Sequence, residues 1–375
     1  MPSPKPHLFH VIPSFAHGGV PIRISYLVNH FGTAARHTLL SMNGDYSCRS
    51  RLTDHVDIKF LEDVRISGSL WQRVTSALAL IRDVSPDVLL TYQWGSVEVA
   101  LANRFFPLAR HIHLESGFGP EEAVKQIPRR VWMRRLALGN VEQLVVPSQS
   151  LVSIARDIWK IPNEKINYLP NGVDCEKYAV SPVPGIMPNF EKQAGEITLG
   201  TMTPLRAEKN LPRMIRSFAA CAEACPNYKL RLVIMGEGQE RAALERQIAA
   251  LGLQDRVLLA GHIDQPAQAL GWLDIYLISS DTEQMPNSVN QAMAAGLPVV
   301  GLAVGDVRHI VSAVNKPFIV PAGDEEAFTQ KTIMMVRDKL KREEIGAENQ
   351  AHVKATYDQA FMYEGYAKVW GLSGV

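Results

Sequence analysis

The chain has 375 residues, enough for about two domains, and its 46% hydrophobic and 21% charged residues suit a globular protein and exclude wholesale disorder. A formal net charge of +1 gives no reason to expect nucleic acid as a partner. No apolar run approaches the ~20 residues of a membrane span, and "MPSPKPHLFHVIPSF" lacks the charged, apolar, small order of a secretion signal, so a cytoplasmic protein is expected.

The first half alternates short apolar runs with helical patterns. "LFHVIP" (8–13) reads as a strand and "VPIRISYLVNHF" (20–31) as an amphipathic helix. "HTLLSM" (37–42) and "VDIKF" (56–60) are short strands. "SLWQRVTSALALIRDV" (69–84) has helical spacing, and "DVLLTY" (87–92) is the next strand. "SVEVALANRFF", "HIHLE", a basic helix near 121–138, "QLVVPS", "SLVSIARDIW" and "KINYLP" continue the alternation. Strands and helices in turn predict a parallel sheet covered on both faces.

"SPVPGIMPNFEKQAGE" (181–196) has three prolines and no period, so it reads as an inter-domain linker. Alternation restarts with "ITLGTM" (197–202), the helix "LPRMIRSFAACAEA", "YKLRLVIMG" (228–236), "QERAALERQIAALG", "RVLLAG", "DIYLISS" (274–280), a small-residue helix and "LPVVGL" (297–302). From Glu325 to Gly371 the pattern is almost wholly helical. The expected domains are 1–180, a linker 181–196, 197–356, and a final helix over 357–375. Of the four cysteines only Cys221 and Cys225 are close, without a second pair to complete a zinc site, so no metal is expected. In doubly wound sheets ligands sit beyond the carboxyl ends of the strands, where the chemistry is sought.

In "PSFAHGGVPIRI" (13–24) a strand ends, Gly18 and Gly19 follow, and a helix begins. Glycines let backbone approach a ligand, and the helix N-terminus offers free N–H groups to an anion such as a diphosphate. "YLPNGVD" (168–174) supplies a tight Asn171-Gly172 turn. "LGTMTPLRAEKN" (199–210) puts Arg206 and Lys209 at the carboxyl end of its strand, where they could face a diphosphate. "MGEGQE" (235–240) is a further strand-to-helix turn. In "EQMPNSVNQAMAAGLPVV" (283–300), Glu283 follows a strand, and its carboxylate can accept two hydroxyl hydrogen bonds, which suits a sugar. The turn Gln284-Met285-Pro286-Asn287 offers amides at a helix start, and Ala292, Ala294, Ala295 and Gly296 let that helix pack closely. Taken singly, each feature is also an ordinary turn, an exposed basic loop or a loop acid beside a packed helix.

Together and in this order, "HGGVP", "VVPSQSL", "PNGVD", "AEKN", "MGEG", "EQMPNSVNQAMAAGLPVVG" and "GDVRHIV" resemble the GT-B glycosyltransferases, specifically the retaining family 4, or group 1. The resemblance implies two doubly wound Rossmann-like domains facing a central cleft, with the C-terminal helix crossing back to the first. It implies a nucleotide-sugar donor, UDP- or GDP-linked, held mainly by the second domain without a metal, and an acceptor on the first. By position, Gly19, with Gly18 beside it, should approach the donor phosphates and Lys209 should hold the diphosphate. Glu283 should contact the transferred sugar, and Met285, Pro286 and Asn287 should present backbone amides. Gly236 and Glu237 should lie near the nucleoside, and His262 and Ile263 beside the base.

Three positions depart from the family pattern. Gln291 stands where a second Glu usually binds the ribose; its amide oxygen still accepts, without charge assistance. Pro204 stands where a diphosphate Arg usually lies, with Arg206 close enough to substitute. Ser116 stands where a His near the donor sugar is frequent, and His111, His113 and Glu115 have the opposite parity on an ideal strand. The reaction implied is transfer of a sugar to a hydroxyl of a glycan or lipid-linked acceptor with retention, in cell-envelope polysaccharide or glycolipid synthesis. The alternative is a nucleotide-sugar-binding protein with weak or no catalysis.

Residues 1–180 carry 20 Lys+Arg against 16 Asp+Glu, whereas 181–375 carry 19 against 22, and part of the first excess sits in "EEAVKQIPRRVWMRRLALGN" (121–140). There Arg129, Arg130, Arg134 and Arg135 surround Trp132, a pattern that fits an acceptor patch or peripheral contact with the anionic inner face of the cytoplasmic membrane. The same pattern also fits a helix with one face on its own sheet and its arginines in solvent.

Overall fold

The computed structural model describes residues 5–118, 120–122 and 125–372. The chain forms two compact units: one runs to Pro170 and resumes at Met362, the other is Asn171–Phe361.

The first unit is built on β1 (His7–Ile12), β2 (Arg36–Ser41), β3 (Ile58–Phe60), β4 (Val88–Tyr92), β5 (Arg110–Leu114), β6 (Gln143–Val146) and β7 (Ile166–Tyr168). They form a parallel sheet in the order β3-β2-β1-β4-β5-β6-β7. Both faces are covered, so the strands are near-continuous apolar runs, and β1 is buried at every residue. Alternate residues of β1 feed different cores. Leu8 and Ile12 join one with the helix Gly19–Phe31, and Phe9 and Val11 join the other with the helices Leu70–Val84, Val97–Phe105 and Pro128–Leu138. The strand order reverses between β1 and β4, which opens a crevice at their carboxyl ends.

The second unit carries β8 (Glu196–Met202), β9 (Lys229–Met235), β10 (Val257–Gly261), β11 (Ile275–Ile278), β12 (Val299–Leu302) and β13 (Ile319–Val320) in the parallel order β10-β9-β8-β11-β12-β13. Its reversal falls between β8 and β11.

Three elements differ from the sequence reading. The segment 181–196 is not a free linker but part of the second unit. Met187 is 2% exposed in that unit's core, Val183 N donates to Gln268 O at 3.1 Å, and Lys192 pairs with Asp274 at 2.7 Å. Its prolines erase any period while single side chains still anchor it. The basic helix is shorter than 121–138: it begins at Pro128, whose ring suits the first helical position, and Ala123 and Val124 lie outside the described residues. β13, two residues long, has no readable period. The last helix, Gln359–Trp370, brings Met362, Tyr366, Val369 and Trp370 into the first unit's core, with Trp370 edge-on to His10 at 5.5 Å.

Candidate functional site

In the second unit the carboxyl ends of β9, β8 and β11 lie side by side, so "MGEG", "PLRAEK" and the Glu283 loop become neighbours. Backbone bonds join the three. Thr203 N donates to Met235 O and Leu205 N to Glu237 O, both at 2.9 Å, while Asp281 N donates to Glu208 O at 2.9 Å. Gly236 and Gly238 are required by this closeness. A Cβ on Gly236, at φ +148, would stand 1.9 Å from the Thr203 oxygen, and one on Gly238 would stand 2.3 Å from the Leu205 oxygen. Gly305 clasps the other side, where a Cβ would meet the Glu283 oxygen at 2.2 Å.

At the strand reversal, Lys209 Nζ lies 2.7 Å from Glu283 Oε1, and Ser280 Oγ donates to the same oxygen at 2.7 Å. Both side chains of the ion pair are largely enclosed, at 18% and 12% exposure, which strengthens their attraction over that of a surface pair. Glu283 thereby has one oxygen committed to orientation, and the other has no bond among the described residues. Behind the pair, Arg213 ties Ser279 O and Asp281 together at 2.9 and 2.8 Å, and Asn210 caps the helix Leu211–Ala224 while bonding Asp281.

The turn after Glu283 is held from the opposite side. Asn171 Nδ2 donates to Met285 O at 3.3 Å, and Asn290 Nδ2 donates to Asn171 O at 3.1 Å. This fixes Met285 and Pro286, both buried, at the start of the helix Asn287–Ala294, whose first turn has no side-chain cap. Asn287 is exposed and Gln291 half-buried on that helix. At the next strand ends, Gly236 N donates to Gly261 O at 2.7 Å, which brings Glu237 beside Gly261 and His262. Glu237 and His262 are exposed, paired with Arg241 and Asp264, and Ile263 is buried. Arg206 is exposed and makes no side-chain bond among the described residues. The arrangement can hold an anion with Lys209 and helix amides while Glu283 accepts from hydroxyls.

In the first unit, Gly18 is extended, and a Cβ on Gly19 would meet no atom within 4 Å, so the fold itself does not demand glycine there. The helix they open has no side-chain cap. Ser116, just beyond β5, accepts from Arg23 Nη2 at 2.6 Å. His111, His113 and Glu115 are buried, and both His rings bond Thr91 Oγ1 at 2.8 Å. Burial first, then the neighbouring His111 and Arg134, holds His113 well below the usual range. Burial pushes the Glu115 carboxyl up to about 7, against the pull of Arg134 and the Ser116 and Gly117 amides.

The basic patch is not as the sequence suggested. Arg134 is 2% exposed and bound to Glu122, so it cannot face a membrane. Arg130 pairs with Glu121 and Glu122 and packs on Trp94, and Arg135 donates to Ile158 O. Arg129 is exposed, as is Trp132 at 59%. The sequence grouped these residues around Trp132, whereas Glu115 and Glu122, which bury Arg134, come from outside the helix.

Residues the sequence reading missed include Ser280, Asn210, Arg213, Asn290 and Arg23. Asn210 had a readable signal, an Asn-Leu-Pro helix start. Ser280 acts on Glu283 three positions away, and Arg213, Asn290 and Arg23 act through contacts distant in sequence.

The profile described as "Glycosyl transferases group 1" matches residues 196–338, and that described as "Glycosyltransferase Family 4" matches 17–177. The chain is 33% identical over 277 residues to a 2-deoxystreptamine N-acetyl-D-glucosaminyltransferase of Streptomyces fradiae, covering 68% of this chain and 64% of that protein. It is 22% identical over 212 residues to an N-acetyl-alpha-D-glucosaminyl L-malate synthase of Bacillus anthracis, covering 56% and 55%. It thus spans less than two thirds of these curated relatives. Among solved structures, Anabaena HepE in complex with UDP superposes with a TM-score of 0.80 at 18% identity, over 98% of this chain and 100% of that one.

Proposed function

The chain belongs to the group 1, family 4 glycosyltransferases, with the GT-B fold of two Rossmann-like units, and from that premise we propose that it transfers a sugar from a nucleotide-diphosphate sugar to a hydroxyl. The observation that carries this reading is the Lys209–Glu283–Ser280 cluster at the β8/β11 reversal, beside an uncapped helix N-terminus. Lys209, Arg206 and the amides at Asn287 take the diphosphate, and its negative charge grows as the sugar leaves. This supplies without a metal the stabilisation that a cation would give. The uncommitted oxygen of Glu283 holds a hydroxyl of the transferred sugar. Gly236, Glu237, His262 and Ile263 lie where the nucleoside would extend, and Gln291 accepts from a ribose hydroxyl. Attack comes from the leaving group's own face, with the diphosphate oxygen taking the acceptor proton, so the anomeric configuration is retained and no separate protein base is needed.

The acceptor is a glycan or a lipid-linked glycan of the cell envelope, taken by the first unit near Ser116. UDP- and GDP-sugars are the donor classes, and HepE, crystallised with UDP, favours testing UDP-sugars first. Contact with an anionic membrane surface is proposed through Arg129 and Trp132 only. Arg129→Glu with Trp132→Ser is expected to abolish flotation with anionic vesicles, and unchanged flotation would dismiss that surface.

Gln291 favours a second reading, donor binding with little turnover. A panel of nucleotide sugars scored by thermal shift tests both, since a ligand well above its Kd raises Tm. One donor that stabilises the wild type but not Glu283→Ala, and yields a product with the donor's anomeric coupling by proton NMR, supports transfer with retention. Stabilisation without any product, even with envelope extract as acceptor, supports the second reading.

A further inference from the structure

Arg134 lies inside the first unit, and nothing in the proposed reaction uses it directly. Its guanidinium holds Glu122 with two bonds, at 3.1 and 2.9 Å, and lies 3.7 Å from Glu115. Three aromatic rings surround it: Trp94 at 5.1 Å, Phe118 at 5.3 Å and Trp159 at 5.0 Å from their centroids. Each ring comes from a different connection, after β4, after β5, and after the helix Gln149–Asp157. Glu122 also accepts from Ile127 N at 3.1 Å, and Trp159 donates to Gln126 at 2.7 Å. One buried cation therefore fixes both ends of the connection between β5 and the helix Pro128–Leu138.

Ser116 is the next residue after Glu115, and its hydroxyl takes the Arg23 guanidinium at 2.6 Å. Neighbouring side chains along an extended segment point opposite ways. Glu115 goes into the nest around Arg134, and Ser116 goes toward the helix Gly19–Phe31 at the crevice. Buried ion clusters are a poor source of stability, because desolvation offsets most of the attraction. What a bidentate, three-ring nest supplies is direction, since the planar fork admits one geometry.

We propose that Arg134 is a positioning residue for glycosyl transfer, fixing the Glu115–Phe118 segment so that Ser116 keeps its place at the first unit's crevice. The proposal rests on the transfer reading above, and its test separates the two. Arg134→Lys keeps the charge but loses the fork, so the chain retains its ion pair and folds. Its kcat is expected to fall about 10-fold with KM for the nucleotide sugar unchanged, as for a small misplacement of a group at a reacting centre. Repeated in a Ser116→Ala background, the same change is expected to alter kcat less than about 2-fold, because residues acting as a unit are non-additive. A full additive loss in that background would show that Arg134 serves only the fold and would overturn the proposal. Hydrogen exchange needs no substrate. The peptide covering Glu115–Phe118 is expected to exchange about 10-fold faster in Arg134→Lys, with peptides over β8 and β11 unchanged. Equal exchange in the two proteins overturns the proposal even when no donor is turned over, whereas faster exchange without wild-type turnover refutes only the transfer reading. Glu115→Gln, which keeps size and removes one partner, is expected to raise exchange in the same peptide.

Discussion

In the proposed reaction the Glu283 carboxylate serves two tasks. One oxygen is held by Lys209 and Ser280, and this orients the other. Glu283→Gln preserves size but removes the charge that attracts Lys209, and kcat/KM is expected to fall about 100-fold when compared at matched folded fraction. A fall below 3-fold would remove Glu283 from the transition state. The glycines of the site make a separate prediction. Gly236→Ala and Gly305→Ala each drive a Cβ into a backbone oxygen, at 1.9 and 2.2 Å, at positive φ. Both are expected to destabilise the second unit by about 1–3 kcal/mol, read from the urea midpoint. An unmoved midpoint would mean that the clasp is loose. At this scale the sequence was partly legible. Glu283 and Lys209 showed themselves as charges at strand ends, where a parallel sheet leaves its crevice. Arg134 was misread because its partners Glu115 and Glu122 lie 19 and 12 positions away, beyond any helical period.

The strands were legible because a doubly covered sheet demands unbroken apolar runs, and β8, β9 and β12 differ from the sequence reading by no more than two residues at either end. The segment 181–196 and β13 were not, since isolated anchors such as Met187 leave no pattern. The strands of the first unit also carry an unusual load of histidine: His7 and His10 on β1, His37 on β2, His111 and His113 on β5. Burial lowers all five, His37 to about 4 and His111 to about 3. A folded value below the unfolded one means that the neutral ring's contribution is complete above about 6.5 and fades as pH falls toward 4 and then 3. Glu115, raised to about 7, has the opposite sign: its contribution is present below the ordinary carboxyl range and is lost as pH rises through 7. Five histidines outweigh one carboxyl, so Tm is expected to drop steadily from pH 6.5 to 4. A Tm constant over that window would contradict the buried, neutral assignment of these rings.

At the scale of the whole molecule, two doubly wound units each present a strand reversal with a glycine-rich turn, and the C-terminal helix ends in the first unit's core. Trp370, fully buried against His10, Phe31 and Tyr366, is where that return is anchored, and Trp370→Ala is expected to cost about 3–5 kcal/mol by chemical denaturation. A loss under 1 kcal/mol would mean that the helix end is dispensable. The order of motifs along the chain was enough to indicate the family, because each sits where a parallel sheet exposes its ligand-binding end. The first unit's crevice was not legible, since it is shaped by contacts such as Arg23 with Ser116 that join residues 93 positions apart. In the proposed reaction a nucleotide sugar held at Lys209 and Glu283 gives up its sugar. The most direct measurement is release of free nucleoside diphosphate from a panel of UDP- and GDP-sugars, wild type against Glu283→Ala, at matched folded fraction. Release from one donor by the wild type and its loss in the variant are expected; equal release from both proteins, or none from any donor that binds, would rule out transfer at this site.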